Sequence, residues 1–272
     1  MASLNMLGFI GSGRMATALA RGCLQAGLFS AEEIIASDPY EPARQQFAER
    51  LPGVTLVDDN AAVLEKADTV FLAVKPQKMD EVLDAISENV EFRHLLISIA
   101  AGVTLERLAS KLPENTRLVR VMPNTPCLVG HGACGFAVGE ACTEEDTHSV
   151  QKILSSVGIV REVDESLLDT VTGLSGSGPA FVYTIIEAMA AGGEAGGMSA
   201  ELALELAIQT TRGAAEMLSS TGLSPAELRD QVTSPGGTTL AGLQSLEKDH
   251  AAEALKAAVV AATRRSVELG QG

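Results

Sequence analysis

Two stretches of this 272-residue sequence combine residue types and spacings suited to holding an anion at the start of a helix. The first, "LGFIGSGRMATALA", sets Gly11, Ser12, Gly13, Arg14, Met15 and Ala16 between a short apolar run and a helical pattern. In the spacing G-x-G-x-x-A the first glycine permits a tight turn and the second lets a pyrophosphate come close to the backbone. The third small residue lets the helix pack on the strand. Free N–H groups and the positive end of the helix then face the phosphates. The expected ligand is a dinucleotide. Asp38, in "IIASDPY", falls where such a site places an acid on the adenosine ribose. A carboxylate there would accept from ribose hydroxyls and repel a 2′-phosphate, which leans toward NADH. The other reading is that Asp38 merely opens the Asp-Pro turn.

The second stretch is "QVTSPGGTTLAGL", residues 231–243. Proline suits the opening of a helix, glycines allow close backbone approach, and threonines cap free N–H groups. Ser234, Gly237, Thr238 and Thr239 could together cradle a carboxylate. An ordinary capped turn would use the same residues.

These residues need a scaffold, and the hydrophobic pattern describes one. Apolar runs at 6–10, 33–37, 54–57, 69–74, 95–100 and 117–122 alternate with helical patterns at 14–26, 42–50, 61–66, 79–86 and 105–111. Shorter strands at 133–138 and 159–163 flank a helix at 144–156. The alternation predicts an α/β Rossmann-type, doubly wound parallel sheet over residues 1–165. From Ser166 almost every window has helical spacing, interrupted at Gly192-Gly193, Gly196-Gly197, Gly222 and the Ser234 turn. This predicts a second, all-helical domain over 166–272.

Composition narrows the function. Aromatics make up 3% of the chain and Trp is absent, so base stacking has few platforms. The formal net charge of -15 argues against nucleic acid or an anionic membrane as partner. "MASLNMLGFIGSG" lacks the basic start and long apolar core of a signal peptide, and no later run is long enough to span a membrane. A cytoplasmic enzyme is expected. Cys23, Cys127, Cys134 and Cys142 form no CxxC pair, and His94, His131, His148 and His250 are scattered, so reduced thiols and no metal site are expected.

Six motifs now fall in one order: "GFIGSGRMA", "FLAVKPQ", "SIAAGVT", "MPNTP", "GLSGSGPAF" and "SPGGTT". The set resembles the pyrroline-5-carboxylate reductase family across nearly the whole chain. The resemblance implies a Rossmann domain followed by a helical dimerisation domain, and reduction of the cyclic imine 1-pyrroline-5-carboxylate to proline by NADPH or NADH. It also implies a homodimer with interleaved helical domains, often assembled as a decamer of five dimers. Carried over by position, Gly11, Ser12, Gly13, Arg14 and Met15 would hold the pyrophosphate and Asn60 the adenosine ribose. Ala73, Val74, Lys75 and Pro76 would line the nicotinamide half, with Ala100 and Asn124 nearby. Ser234, Gly237, Thr238 and Thr239 would bind the substrate, and Thr239 matches the family threonine that reaches the ring nitrogen. The family commonly has a small hydroxyl residue where this chain has Asp38, and many members use NADPH, so both cofactors stay open.

Hydride transfer to a protonated imine needs little acid–base machinery, which fits a chain without an evident His/Asp dyad. Two other classes share the pattern. A hydroxyacid dehydrogenase usually places a catalytic lysine in its helical domain, but here only Lys248 and Lys256 lie beyond Lys152, neither in a Gly-rich context. A nicotinamide-sensing protein without turnover is separated from an enzyme by assay.

Overall fold

The computed structural model describes residues 6–270; residues 1–5 and 271–272, which the two expected domains include at either end, lie outside them. The described residues form two compact units, one of 6–177 with 262–270 and the other Gly178–Ala261. Packing thus divides the chain at a different place from the change of composition near Ser166.

The first unit alternates strand and helix. It runs β1 (Leu7–Ile10), α1 (Arg14–Gln25), β2 (Ile34–Ser37), α2 (Glu41–Arg50), β3 (Thr55–Val57), α3 (Asn60–Lys66), β4 (Thr69–Leu72), α4 (Met79–Ile86), β5 (Leu95–Ser98), α5 (Leu105–Ala109) and β6 (Arg117–Met122). Then follow β7 (Gly132–Val138), α6 (Glu144–Ser155), β8 (Gly158–Glu162) and α7 (Leu168–Val171). The strands form one sheet in the order β3-β2-β1-β4-β5-β6-β7-β8. The first six are parallel, as expected. The pair β6–β7 is antiparallel, a departure from the all-parallel expectation, and β8 runs with β7. The reason is the connection: the segment between β6 and β7 is a 3-10 turn, Thr125–Val129, too short for the crossover of about a dozen residues that a parallel pair needs.

Strands β1, β2, β4 and β5 are buried along their whole length, as befits a sheet covered on both faces. Leu7 and Phe9 join the core beneath α1, α2 and α6, while Ile10 joins the core beneath α3, α4 and α5. Phe9 stacks on Phe71 with ring centroids 5.2 Å apart. Gly8 admits α3 to the sheet: a Cβ there would lie 2.6 Å from Val63 Cγ1 and 2.9 Å from Ala67 Cβ. Buried Arg120 on β6 pairs with Glu165 at 3.2 Å and Asp169 at 3.4 Å. Asp169 also accepts from Ser266 Oγ at 2.7 Å, which fastens residues 262–270 to this unit.

The second unit is helical: α8 (Gly178–Ala195), α9 (Ala200–Thr221), α10 (Pro225–Gln231), α11 (Thr238–Lys248) and the larger part of α12 (Ala251–Gly270). Its buried cluster consists of Ala190, Ala203 and Ala207, with Ile186 packed against them. Leu202, Leu204, Leu206 and Ile208 on α9 are all nearly half exposed in the single chain. Three alanines make a very small core for five helices, since burying a Leu or Ile contributes about 1.5–3 kcal/mol and an Ala far less.

Candidate active site

The cofactor candidates follow the C-terminal tips of the six parallel strands. Gly11 to Met15 follow β1, Asp38 follows β2 and Asn60 follows β3. Ala73 to Pro76 follow β4, Ala100 follows β5 and Asn124 follows β6. Strand β1 lies between β2 and β4, so the chain order reverses there. In open α/β sheets that switch point, at the strand tips, is where ligands bind.

The Gly-rich turn is built around two different glycines. Gly11 has φ +99°, and a Cβ would stand 2.6 Å from the carbonyl oxygen of Ala73. Its N–H donates to Ser37 O at 2.8 Å, so the turn lies between β2 and β4. Gly13 is the opposite case. Its φ is -70°, which any residue accepts, and nothing lies within 4 Å of its Cβ position. The protein does not require glycine there, and the open space suits a pyrophosphate lying against the backbone. Gly13 is also the N-cap of α1, which has no side-chain cap and no acid in its first turn. The residues present therefore fit a dinucleotide.

Asp38 faces this turn. Its Oδ2 accepts from Ser12 N at 3.0 Å and Ser12 Oγ at 3.2 Å, while Oδ1 accepts from Tyr40 N at 2.9 Å. One oxygen thus shapes the Asp-Pro turn, and the other is held on the fingerprint loop by Ser12. Arg44 donates through Nη1 to the main-chain oxygen of Asp38. Next to it Ser37 Oγ donates to Asn60 Oδ1 at 2.7 Å, which links the tips of β2 and β3.

At the tip of β4, Ala73 N donates to Ile10 O at 2.8 Å. Val74 is half-buried, Lys75 is exposed, and Pro76 opens a 3-10 turn. Ala100 is buried, with its N–H donating to Ser98 Oγ at 3.3 Å. Asn124 is also buried, and both ends of its amide are occupied: Nδ2 donates to Ser175 O at 3.0 Å and Oδ1 accepts from Ala133 N at 2.9 Å. It ties the β6 tip to β7 and to the π-helical segment Thr172–Gly176, which contains the first four residues of the "GLSGSG" motif. Sequence reading missed that segment's geometry, because π turns leave no periodic signature.

The four substrate candidates lie together in the helical unit. Gly237 N donates to Ser234 O at 3.0 Å and Gly236 has φ +69°, so Ser234 to Gly237 form a turn with Pro235 leading and glycine at the left-handed position. A Cβ at Gly237 would stand 2.3 Å from Ser234 Oγ, so a side chain there would displace that hydroxyl. Thr238 and Thr239 are the first two residues of α11, whose N-cap is Gly237. Like α1, α11 lacks both a side-chain cap and a first-turn acid. The N-termini of α3, α5, α6, α9 and α10 are each closed by the side chain of Asp59, Thr104, Thr143, Ser199 or Ser224. An ordinary capped turn is therefore not what "SPGGTT" makes: its hydroxyls leave the helix N–H groups free. No group of three or more His, Cys, Asp or Glu side chains among the described residues could hold a metal.

Comparison with known proteins decides between the classes that share this architecture. A family model described as "Pyrroline-5-carboxylate reductase dimerisation" matches residues 165–269, and one described as "NADP oxidoreductase coenzyme F420-dependent" matches residues 6–102. The pyrroline-5-carboxylate reductase of Methanosarcina acetivorans is 47% identical over 97% of this chain and 98% of its own length. The chain belongs to the pyrroline-5-carboxylate reductase family. Solved members superpose along their whole length. The Coxiella burnetii reductase has a TM-score of 0.92 at 35% identity, covering 98% of this chain and 99% of that one. The Plasmodium falciparum enzyme, solved with NADP bound, has a TM-score of 0.89 at 33% identity, covering 99% and 100%. The match to the family's dimerisation model supports a homodimer.

Proposed function

We infer that this chain is a pyrroline-5-carboxylate reductase, an NAD(P)H-dependent oxidoreductase that reduces the C=N bond of 1-pyrroline-5-carboxylate to give proline. One observation carries the geometric side of the reading. Among the described α-helices with a defined N-cap, α1 and α11 alone lack both a side-chain cap and a first-turn acid. Two anion cradles suit a reaction between a dinucleotide and a small carboxylate.

When bound, NAD(P)H supplies the hydride. On this reading Gly13 and the first-turn N–H groups of α1 receive the pyrophosphate, and Asn60 and Asp38 face the adenosine ribose. Ala73, Val74, Lys75 and Pro76 border the nicotinamide half, with Ala100 and Asn124 behind. The N–H groups of Thr238 and Thr239, with Ser234 and Gly237, hold the substrate carboxylate without a buried cation. Thr239 orients the ring nitrogen; a neutral hydroxyl is a poor acid, so its role is chiefly alignment. The division of labour follows 1–165 for cofactor and 166–272 for substrate and association, which the family match at 165–269 supports. The proposal includes a cytoplasmic location and a decamer of five dimers. No helix among the described residues is long and apolar enough to cross a membrane.

The test is NAD(P)H consumption with pyrroline-5-carboxylate. Thr239→Ala should lower kcat or raise KM for the imine by roughly 5- to 150-fold, the loss of about 1–3 kcal/mol, with cofactor Kd unchanged. A folded Thr239→Ala enzyme with wild-type kinetics would remove Thr239 from the site.

A further inference from the structure

Outside the strand-tip edge, two thiols lie side by side. Cys127 Sγ and Cys134 Sγ are 3.7 Å apart, and neither residue is more than 4% exposed. Cys127 belongs to the 3-10 segment Thr125–Val129, and Cys134 sits within β7, in register with Val160 of β8. Gly132 makes room for this pairing, since a Cβ there would stand 2.3 Å from Cys127 Sγ. Cys127 also borders a cavity of about 210 Å³ walled by Arg21, Gln25, Gly130 and Ser156. That is several times the roughly 30 Å³ of a water molecule, so a small polar oxidant has a place beside Cys127, with Cys134 next to it in the sheet. The remaining cysteines differ. Cys23 Sγ lies 3.8 Å from Ser156 Oγ and burial pushes its thiol up to about 12, while Cys142 donates to Leu118 O at 3.1 Å.

We propose that Cys127 and Cys134 are a peroxide-sensitive dithiol whose oxidation closes an intramolecular disulfide and slows the enzyme. The second half of that statement rests on the reductase reading above. The chemistry uses hydrogen peroxide as oxidant. The Cys127 thiolate attacks one peroxide oxygen and the O–O bond breaks. Hydroxide leaves, and with the proton that Cys127 released it becomes water. Cys127 is now a sulfenic acid. The Cys134 thiol attacks its sulfur, the S–S bond forms, and the sulfenic oxygen leaves as a second water carrying the Cys134 proton. Two thiols give up two electrons and one peroxide becomes two waters. The order of attack follows from access, since Cys127 borders the cavity and Cys134 is not among its lining residues. The hydrogen bond from Cys134 also lowers the Cys127 thiol, whereas that same contact, with burial, pushes Cys134 up.

Closing the bond shortens the sulfur separation to about 2.05 Å. Strand β7 is held on both sides by β6 and β8, so the Thr125–Val129 turn must move toward it. Cys127 N donates to Asn124 O at 3.1 Å, and the Asn124 amide holds Ser175 O and Ala133 N. The movement is therefore delivered to the β6 tip and the Thr172–Gly176 segment.

The experiment treats the full-length enzyme with stoichiometric hydrogen peroxide, maps its peptides by mass and follows reductase activity in parallel. The expected result is loss of two hydrogen masses from linked Cys127 and Cys134 peptides, a fall in kcat of roughly tenfold, as for a small misplacement of site groups, and recovery of both with dithiothreitol. Cys134→Ser should keep its untreated activity, form no disulfide and yield a sulfenic acid at Cys127 that a dimedone probe traps. Absence of the linked peptides in peroxide-treated wild type, or a disulfide that leaves the rate unaltered, overturns the proposal; the wild-type map stands even if Cys134→Ser does not fold. An enzyme inactive on pyrroline-5-carboxylate before any peroxide is added sinks the functional reading instead, and the linked peptides then decide the dithiol separately.

Discussion

Asp38 serves two neighbours with one carboxylate, Ser12 on the Gly-rich loop and Tyr40 in its own turn. The charge held over the loop is what bears on cofactor choice. A ribose offers hydroxyl donors to it, whereas a 2′-phosphate brings a like charge. At about 4 Å and partial exposure such a pair costs on the order of 1–4 kcal/mol, roughly tenfold or more in relative affinity. Asp38→Ser should therefore shift the ratio of kcat/KM toward NADPH. Steady-state rates with both cofactors on both enzymes check it, and a strong wild-type NADPH preference left unaltered by the substitution refutes the role given to Asp38. The position of Asp38 was legible in the sequence because the distance from a Gly-rich turn to the end of the next strand is fixed by the fold. The contact between Cys127 and Cys134 was not, since their spacing matches no thiol motif and only the β6–β7 reversal brings them together.

The turn between β1 and α1 separates two roles that G-x-G-x-x-A merges. Gly11 is demanded by the protein: positive φ and the Ala73 carbonyl both forbid a side chain. Gly13 is demanded by nothing among the described residues. Gly11→Ala should lower thermal stability, by about 1–3 kcal/mol from backbone strain and more from the clash. Gly13→Ala should leave Tm unchanged yet raise the Kd for NAD(P)H by about tenfold or more, since a methyl group would fill the space given to the pyrophosphate. Calorimetry and cofactor titration on the pair separate the two; equal effects on Tm would mean that Gly13 is structural. Most strands and helices of this unit could be read from apolar runs and 3.6-residue spacing, because a sheet covered on both faces needs continuous apolar strands. The direction of β7 was missed, although the short 123–131 connection held the information. Strands β4 and β5 end at Leu72 and Ser98, before the apolar runs at 69–74 and 95–100 do, because residues 73–74 and 99–100 stay apolar at the strand-tip edge.

Among its described apolar residues the helical unit buries Ala190, Ala203 and Ala207 and leaves large side chains such as Leu204, Leu206 and Ile208 nearly half exposed. A second copy of the chain is the partner that the dimerisation match supports. Leu204 and Ile208 lie one turn apart on α9, and charges placed there would stand unpaired in an apolar contact. The double substitution Leu204→Glu with Ile208→Glu should give monomers without reductase activity, measured by sedimentation velocity at micromolar concentration beside the assay. A fully active monomer, mutant or wild type, would overturn obligate association.

The first unit is interrupted in sequence: it is left at Ser177 and completed only by 262–270, where Ser266 reaches Asp169 and the backbone at Gly270 packs against Gly102. During synthesis, which runs from the N-terminus at about 5–20 residues per second, the strands of that unit emerge well before the segment that fastens to Asp169. Until then Arg120, buried on β6, has an acid partner whose own hydrogen-bond donor has not yet been made. The ribosome must deliver the whole of Gly178–Ala261, with its uncovered apolar helices, before the first unit is finished. The vulnerable interval in the life of this chain is therefore the one between translating α8 and translating the end of α12, and it is there that a chaperone would find both an unfinished sheet domain and an unpaired dimer surface on the same nascent polypeptide.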